Sequence, residues 1–132
     1  MKNLMDKKEI DWVFSRNSDT KAIVRNLSEV IKARIFVGTG SMLSFVTIPP
    51  NSQGSIHKHP EEQWGVLLEG TCIRLQDDQE VQMQVGDFWY TPGNVVHGIR
   101  TTDQTALILD IFSPPREAYR NKGKGFGTHE TK

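Results

Sequence analysis

The sequence predicts an all-β domain, a sandwich or barrel and most simply a jelly roll, on three observations. From about residue 32 apolar and polar residues alternate with period two, the alternating segments are short, and Gly, Pro, Asn or Asp separates them. Side chains on a strand face opposite ways in turn, so each segment offers one face to a core and one to solvent.

KARIFVG (32–38) and SMLSFVTI (41–48) carry β-branched and aromatic residues in that alternation. The turn-forming PPNSQG (49–54) follows, then SIHKH (55–59), which ends at Pro60 because proline donates no hydrogen bond to a ladder. QWGVLLEG (63–70) and TCIRLQ (71–76) meet at Gly70, and QDDQ turns the chain into QEVQMQV (79–85). DFWYTP (87–92) leads through TPGN into VVHGIR (95–100), and TALILDIF (105–112) completes the set. Nine short strands with tight connections suit a jelly roll. KAIVRNLSEVI (21–31) stays open: Ile23, Leu27, Val30 and Ile31 fit one helical face, while the flanking residues suit extended structure.

The 132 residues are enough for one domain with a single core, expected over residues 21–119. Residues 1–20 read as a polar N-terminal arm with isolated apolar anchors, among them Trp12, which an otherwise polar segment must bury somewhere, as across a homodimer. Residues 120–132 read as a flexible C-terminal tail, with His129 solvated in it. Lys+Arg and Asp+Glu both number 16, so no excess field draws the chain to nucleic acid or to a membrane. Cys72 is the only cysteine, and charges interrupt every apolar cluster near the N-terminus. A reducing cytoplasm is the expected location.

His57 and His59 stand at alternate positions and project the same way, while Lys58 projects the other. After Pro60 the chain bends, and Gln63 enters the next segment with a carboxamide oxygen available to the same point. His97 follows the TPGN turn on a segment that runs antiparallel to the first if the sheet closes. Each residue alone reads as a packed or surface side chain. Together, three histidines and an amide at these spacings point to a metal site, with nitrogen and oxygen donors that suit Ni, Fe, Mn or Zn.

In TALILDIF, Ile108, Asp110 and Phe112 share one face. If that face is the interior, burial raises the Asp110 pKa and a nearby cation lowers it, a balance that poises a carboxyl group for proton transfer. The competing reading is a structural aspartate accepting backbone hydrogen bonds.

Residues 54–70 and 86–97 resemble the two motifs of the cupin superfamily: HxH, three residues, an acid or amide, six residues, Gly; then Gly, five residues, Pro, four residues, His. The resemblance implies a double-stranded β-helix, the cupin jelly-roll barrel, with His57, His59, Gln63 and His97 as ligands to one divalent metal ion inside it. Asn94 stands where the common second motif has Gly, which leaves that turn's geometry open. Most cupins carry Glu where this chain has Gln63. A neutral ligand leaves more positive charge on the ion and favours Lewis-acid work.

HPEEQWGVLLEG, GDFWYTPGNVVHGI and LDIFSPPREAY further resemble the single-domain cupins of the pectin degradation protein (KdgF) type. That resemblance implies opening of a C4–C5 unsaturated uronate ring to its linear keto form. It implies Asp110 and Arg116 as catalytic residues, with Phe112 and Arg116 binding the substrate and Arg116 pairing with its carboxylate. Two other functions fit the same ligands: an Fe(II) dioxygenase or lyase acting on a small acid, and a non-catalytic sugar- or metal-binding module. Trp64, Phe88, Trp89 and Tyr90 are expected in the core rather than on a ligand.

Overall fold

The protein is described by a computed structural model covering residues 3–120 and 123–127. Among the described residues the strands are β1 (Ile23–Asn26), β2 (Lys32–Val37), β3 (Met42–Ile48), β4 (Glu62–Glu69), β5 (Cys72–Gln76), β6 (Gln79–Met83), β7 (Phe88–Thr91), β8 (His97–Arg100) and β9 (Ala106–Ser113). They form a six-stranded sheet in the order β1-β2-β3-β9-β4-β7 and a three-stranded sheet in the order β6-β5-β8. Every neighbouring pair is antiparallel. The inner faces share one core, built on Ile35, Met42, Val46, Ile48, Leu67 and Ile108 from the larger sheet and Cys72 from the smaller. The all-β jelly-roll expectation therefore holds, and period two was its correct signal.

The ambiguous stretch resolves as extended. β1 occupies Ile23–Asn26, and Ser28 then turns the chain, its hydroxyl accepting from the amides of Val30 and Ile31. A hydroxyl that captures nearby amides favours a turn over a helix. Leu27 and Ile31 are both buried by this turn.

The expected strand SIHKH is not a regular strand. Residues 53–57 meet β8 only through the bridges Gln53↔Arg100 and His57↔His97. The reason is local: the carbonyls of Ser55 and Glu61 are taken by imidazoles, and Pro60 has no amide hydrogen.

Gly70 lies between β4 and β5 at φ +79, and a Cβ there would sit 1.9 Å from the Thr105 carbonyl oxygen. Only glycine suits that left-handed, close-packed turn. The aromatics divide by face. Trp89 is buried, as expected, whereas Trp64, Phe88 and Tyr90 lie exposed on the outer side of β4 and β7. Period two puts the residues flanking an inward Trp89 outside.

The arm follows the outer face of the larger sheet, with Phe14 5.5 Å from Phe36 and Arg16 paired to Glu69 at 3.2 Å. Trp12 remains 75% exposed. Residues 123–127 fall in the segment read as a flexible tail, yet they pack on the barrel. Arg25 donates to the carbonyls of Ala118, Lys124 and Gly125 at 2.8–2.9 Å, and the Gly125 amide donates to Asn26. His129 lies outside the described residues. No helix among the described residues is long and apolar enough to cross a membrane.

Candidate metal centre

The antiparallel bridge sets the site. His57 and His97 exchange both backbone hydrogen bonds at 2.9 Å, which holds their Cα atoms opposite one another. His59 joins them through the turn after β7: the Asn94 amide donates to the His59 carbonyl at 2.7 Å, and Asn94 has φ 64. Asparagine tolerates the left-handed region, so it serves where the common motif has glycine. Gly93 is needed for a different reason, since a Cβ there would lie 2.3 Å from the Pro60 carbonyl oxygen.

The ligand atoms of His57, His59 and His97 lie within 4.8 Å of one another, and all three side chains are buried. Each Nδ1 faces a backbone carbonyl: Ser55 at 2.8 Å, Glu61 at 3.0 Å and Val95 at 2.8 Å. A carbonyl only accepts, so each Nδ1 carries the hydrogen and each Nε2 keeps its lone pair for the interior. Desolvation holds the imidazoles neutral, with pKa values lowered to about 4 at His57 and His59 and further at His97.

Gln63 completes the set. Its Nε2 donates to Asp110 Oδ1 at 2.9 Å, which turns Oε1 toward His59 Nε2 at 3.1 Å. Two acceptors thus face each other, and the buried His97 Nε2 has no hydrogen-bond partner. Inward lone pairs without a donor are what a cation would satisfy. The donor set therefore fits a divalent ion.

A cavity of about 40 Å³ is lined by His57, Gln63 and His97. Ile108, Asp110 and Phe112 all line it, so the face inferred from β9 is the interior face. Asp110 lines the cavity and is half-buried. Burial pushes its carboxyl up to about 6, against the opposing pull of Arg74, the Gln63 amide and Arg116. Phe112 packs edge-on to His59 at 5.6 Å. Arg116 is buried, stacks over Tyr119 at 4.1 Å and donates from Nη2 to the Phe126 carbonyl at 2.6 Å. Its Nε lies 3.9 Å from Glu61.

The structure thus brings together every residue singled out from the sequence: His57, His59, Gln63, His97, Asp110, Phe112 and Arg116. It adds Ser44, Arg74, Tyr119 and Phe126 to the wall. Phe126 closes one side, its ring 5.1 Å from that of His57. Arg74 was legible, because Cys72, Arg74 and Gln76 share the inward face of β5 by the same alternation that placed Asp110. Phe126, in a Gly- and Lys-rich segment, gave no periodic signal.

A family model described as a cupin domain matches residues 44–112. Among solved structures, KdgF from Halomonas sp. aligns at 22% identity and a TM-score of 0.67, over 71% of this chain and 87% of that one. An RmlC-like cupin from Shewanella frigidimarina aligns at 21% and 0.66, over 74% and 87%. Oxalate decarboxylase from Bacillus subtilis aligns at 20% and 0.63, over 67% of this chain and 26% of its own. At these identities the likeness is one of fold. A search of curated proteins found no match.

Proposed function

The chain belongs to the cupin family, and from that premise we propose that it is a metal-dependent enzyme opening the ring of a C4–C5 unsaturated uronate. The observation that carries this reading is the Gln63 side chain, which joins the candidate metal site to a half-buried acid on the cavity wall through one hydrogen bond of 2.9 Å. A proton-handling group is thereby fixed beside a Lewis-acid site, which is what an isomerisation without redox change requires.

His57, His59, Gln63 and His97 would hold a divalent ion, which would supply Lewis-acid positive charge to the substrate. Asp110, as carboxylate, takes the proton of the anomeric hydroxyl. The bond from C1 to the ring oxygen then breaks, leaving an aldehyde at C1 and an enolate over the former ring oxygen, C5 and C4. Asp110 returns its proton to C4, giving the C5 ketone. Atoms and electrons balance within one substrate molecule. The Phe112 ring orients His59 and bounds the sugar. Arg116 stabilises developing negative charge from the wall.

The test is loss of the ultraviolet absorption of unsaturated galacturonate on adding metal-loaded protein. Loss well above the buffer rate supports the reading, and a buffer rate with metal content verified rejects it. One observation favours a second reading, a binding module: a 40 Å³ cavity is far below the size of an ordinary ligand pocket. Turnover requires Phe126 to move, whereas a module retains the ion alone. The exposed Leu4, Met5 and Trp12 support a homodimer. Light scattering on the wild type and Trp12→Ser tests it, and a monomeric wild type rejects it.

A further inference from the structure

Arg74 is an unusual feature of this interior. It stands on β5 among apolar neighbours, is 4% exposed, and lines the cavity that holds the histidines and Asp110. Its hydrogen-bond partners are neutral: Nη2 donates to Thr91 Oγ1 at 2.7 Å, and Nε lies 3.4 Å from Gln76 Oε1. Thr91 in turn donates to Gln76 Oε1 at 2.6 Å, and Gln76 donates to the Tyr90 carbonyl, so the guanidinium is clamped in place. The guanidinium lies 5.6 Å from the ring of Trp89. Among the described residues Nη1 has no hydrogen bond and no carboxylate lies within ion-pair distance. A buried, oriented guanidinium with an unused donor and no carboxylate in contact, Asp110 acting on it only across the cavity, is a site prepared for an anion.

A second group agrees. Ser44 lies opposite Asp110 in the β3–β9 register, is fully buried, lines the same cavity, and its Oγ has no partner. Buried hydroxyls are normally satisfied, so this one points to something that enters. Arg116 is less available for the carboxylate than the family resemblance implied, because Phe126, Glu61 and Tyr119 already engage it.

We infer that Arg74, with Ser44 as a second donor, forms a carboxylate subsite inside the barrel that binds the acid group of the substrate. This rests on the uronate reading for its substrate but not for its ligand chemistry, which is any small carboxylate. Arg74 acts here as a binding residue, selecting sugar acids over neutral sugars.

The experiment compares metal-loaded wild type, Arg74→Met and Arg74→Lys, the last keeping the charge and losing the fork. Dissociation constants for D-galacturonate and D-galactose are read from tryptophan fluorescence, since the guanidinium lies beside Trp89, and KM and kcat from unsaturated galacturonate. The wild type should prefer galacturonate, and Arg74→Met should weaken it about tenfold or more, raising KM more than it lowers kcat. Arg74→Lys should fall between, which decides the matter if the methionine variant does not fold. Equal binding of both sugars by the wild type overturns the inference. So do variants with unchanged galacturonate affinity, or with only a shifted pH profile, which would make Arg74 a counter-charge to Asp110. Carboxylate-selective binding without turnover would sink the ring-opening reading and leave the subsite standing. Turnover with KM unchanged in both variants would do the reverse.

Discussion

Gln63 Oε1 lies 3.1 Å from His59 Nε2, and both atoms are acceptors. The Asp110 carboxylate dictates the first orientation and the Glu61 carbonyl the second. Without a cation the contact is repulsive.

Metal loading is therefore expected to stabilise the protein and chelation to lower its Tm. At a free ion concentration a hundredfold above Kd the gain is about 2.7 kcal/mol. His97→Ala and His59→Ala should each lose the ion, measured by metal analysis after gel filtration. Gln63→Glu should retain it, because a carboxylate oxygen replaces the amide oxygen. Retention of a stoichiometric ion by both alanine variants would contradict the assignment.

The metal-free protein should lose stability as pH falls from about 6.5 toward 4. The folded imidazoles titrate near 4 or below, so in that window the unfolded chain binds more protons and unfolding is favoured. Asp110 acts oppositely. Its folded pKa of about 6 stabilises the protonated fold, and that contribution fades as pH rises through 6. Three imidazoles outweigh one acid by about two protons, giving a net slope on the order of 2–3 kcal/mol per pH unit. Denaturant titrations at several pH values check the sign.

Asp110→Asn should reduce turnover of unsaturated galacturonate by roughly 10²–10⁴-fold, the ordinary range for a lost acid–base group. Metal content should persist, since an asparagine oxygen still accepts from Gln63. A drop in both together would mean that the carboxylate matters for the ligand's orientation rather than for proton transfer.

Phe126→Ala should cost about 1–3 kcal/mol and speed removal of the ion by a chelator. The ring packs between His57 and Gly54, where even an added Cβ on Gly54 would approach it to 2.9 Å. Unchanged chelation kinetics would show that ions enter elsewhere.

Gly93→Ala should destabilise by about 1–3 kcal/mol and weaken metal retention, because the Pro60 carbonyl it meets belongs to the backbone between His59 and Gln63. Asn94→Gly should be tolerated and Asn94→Val should cost about 1–2 kcal/mol. Thermal denaturation separates the three.

The convergence of these side chains on one site was legible because it depends on alternation within short segments: His57 and His59 two apart, and Asp110 with Phe112 two apart. SIHKH misled because alternation reports facing, not ladder pairing, and imidazoles had taken the carbonyls such a ladder would use. KAIVRNLSEVI was undecidable by period alone, and the Ser28 hydroxyl settled it. Packing of residues 123–127 was invisible, because its chief anchor is Arg25, about a hundred positions earlier, binding carbonyls that every residue type possesses.

The reciprocal main-chain bonds between His57 and His97 make two of the three imidazoles one rigid body. An arriving ion would find them already set, and a departing one would leave them standing, so exchange would need no refolding. Nitrogen donors rank divalent ions by intrinsic affinity, and a frame this indifferent to its occupant adds little discrimination of its own. An ion held there would then mirror cellular supply, and protein purified from differently supplemented cultures should carry different metals on an unchanged scaffold.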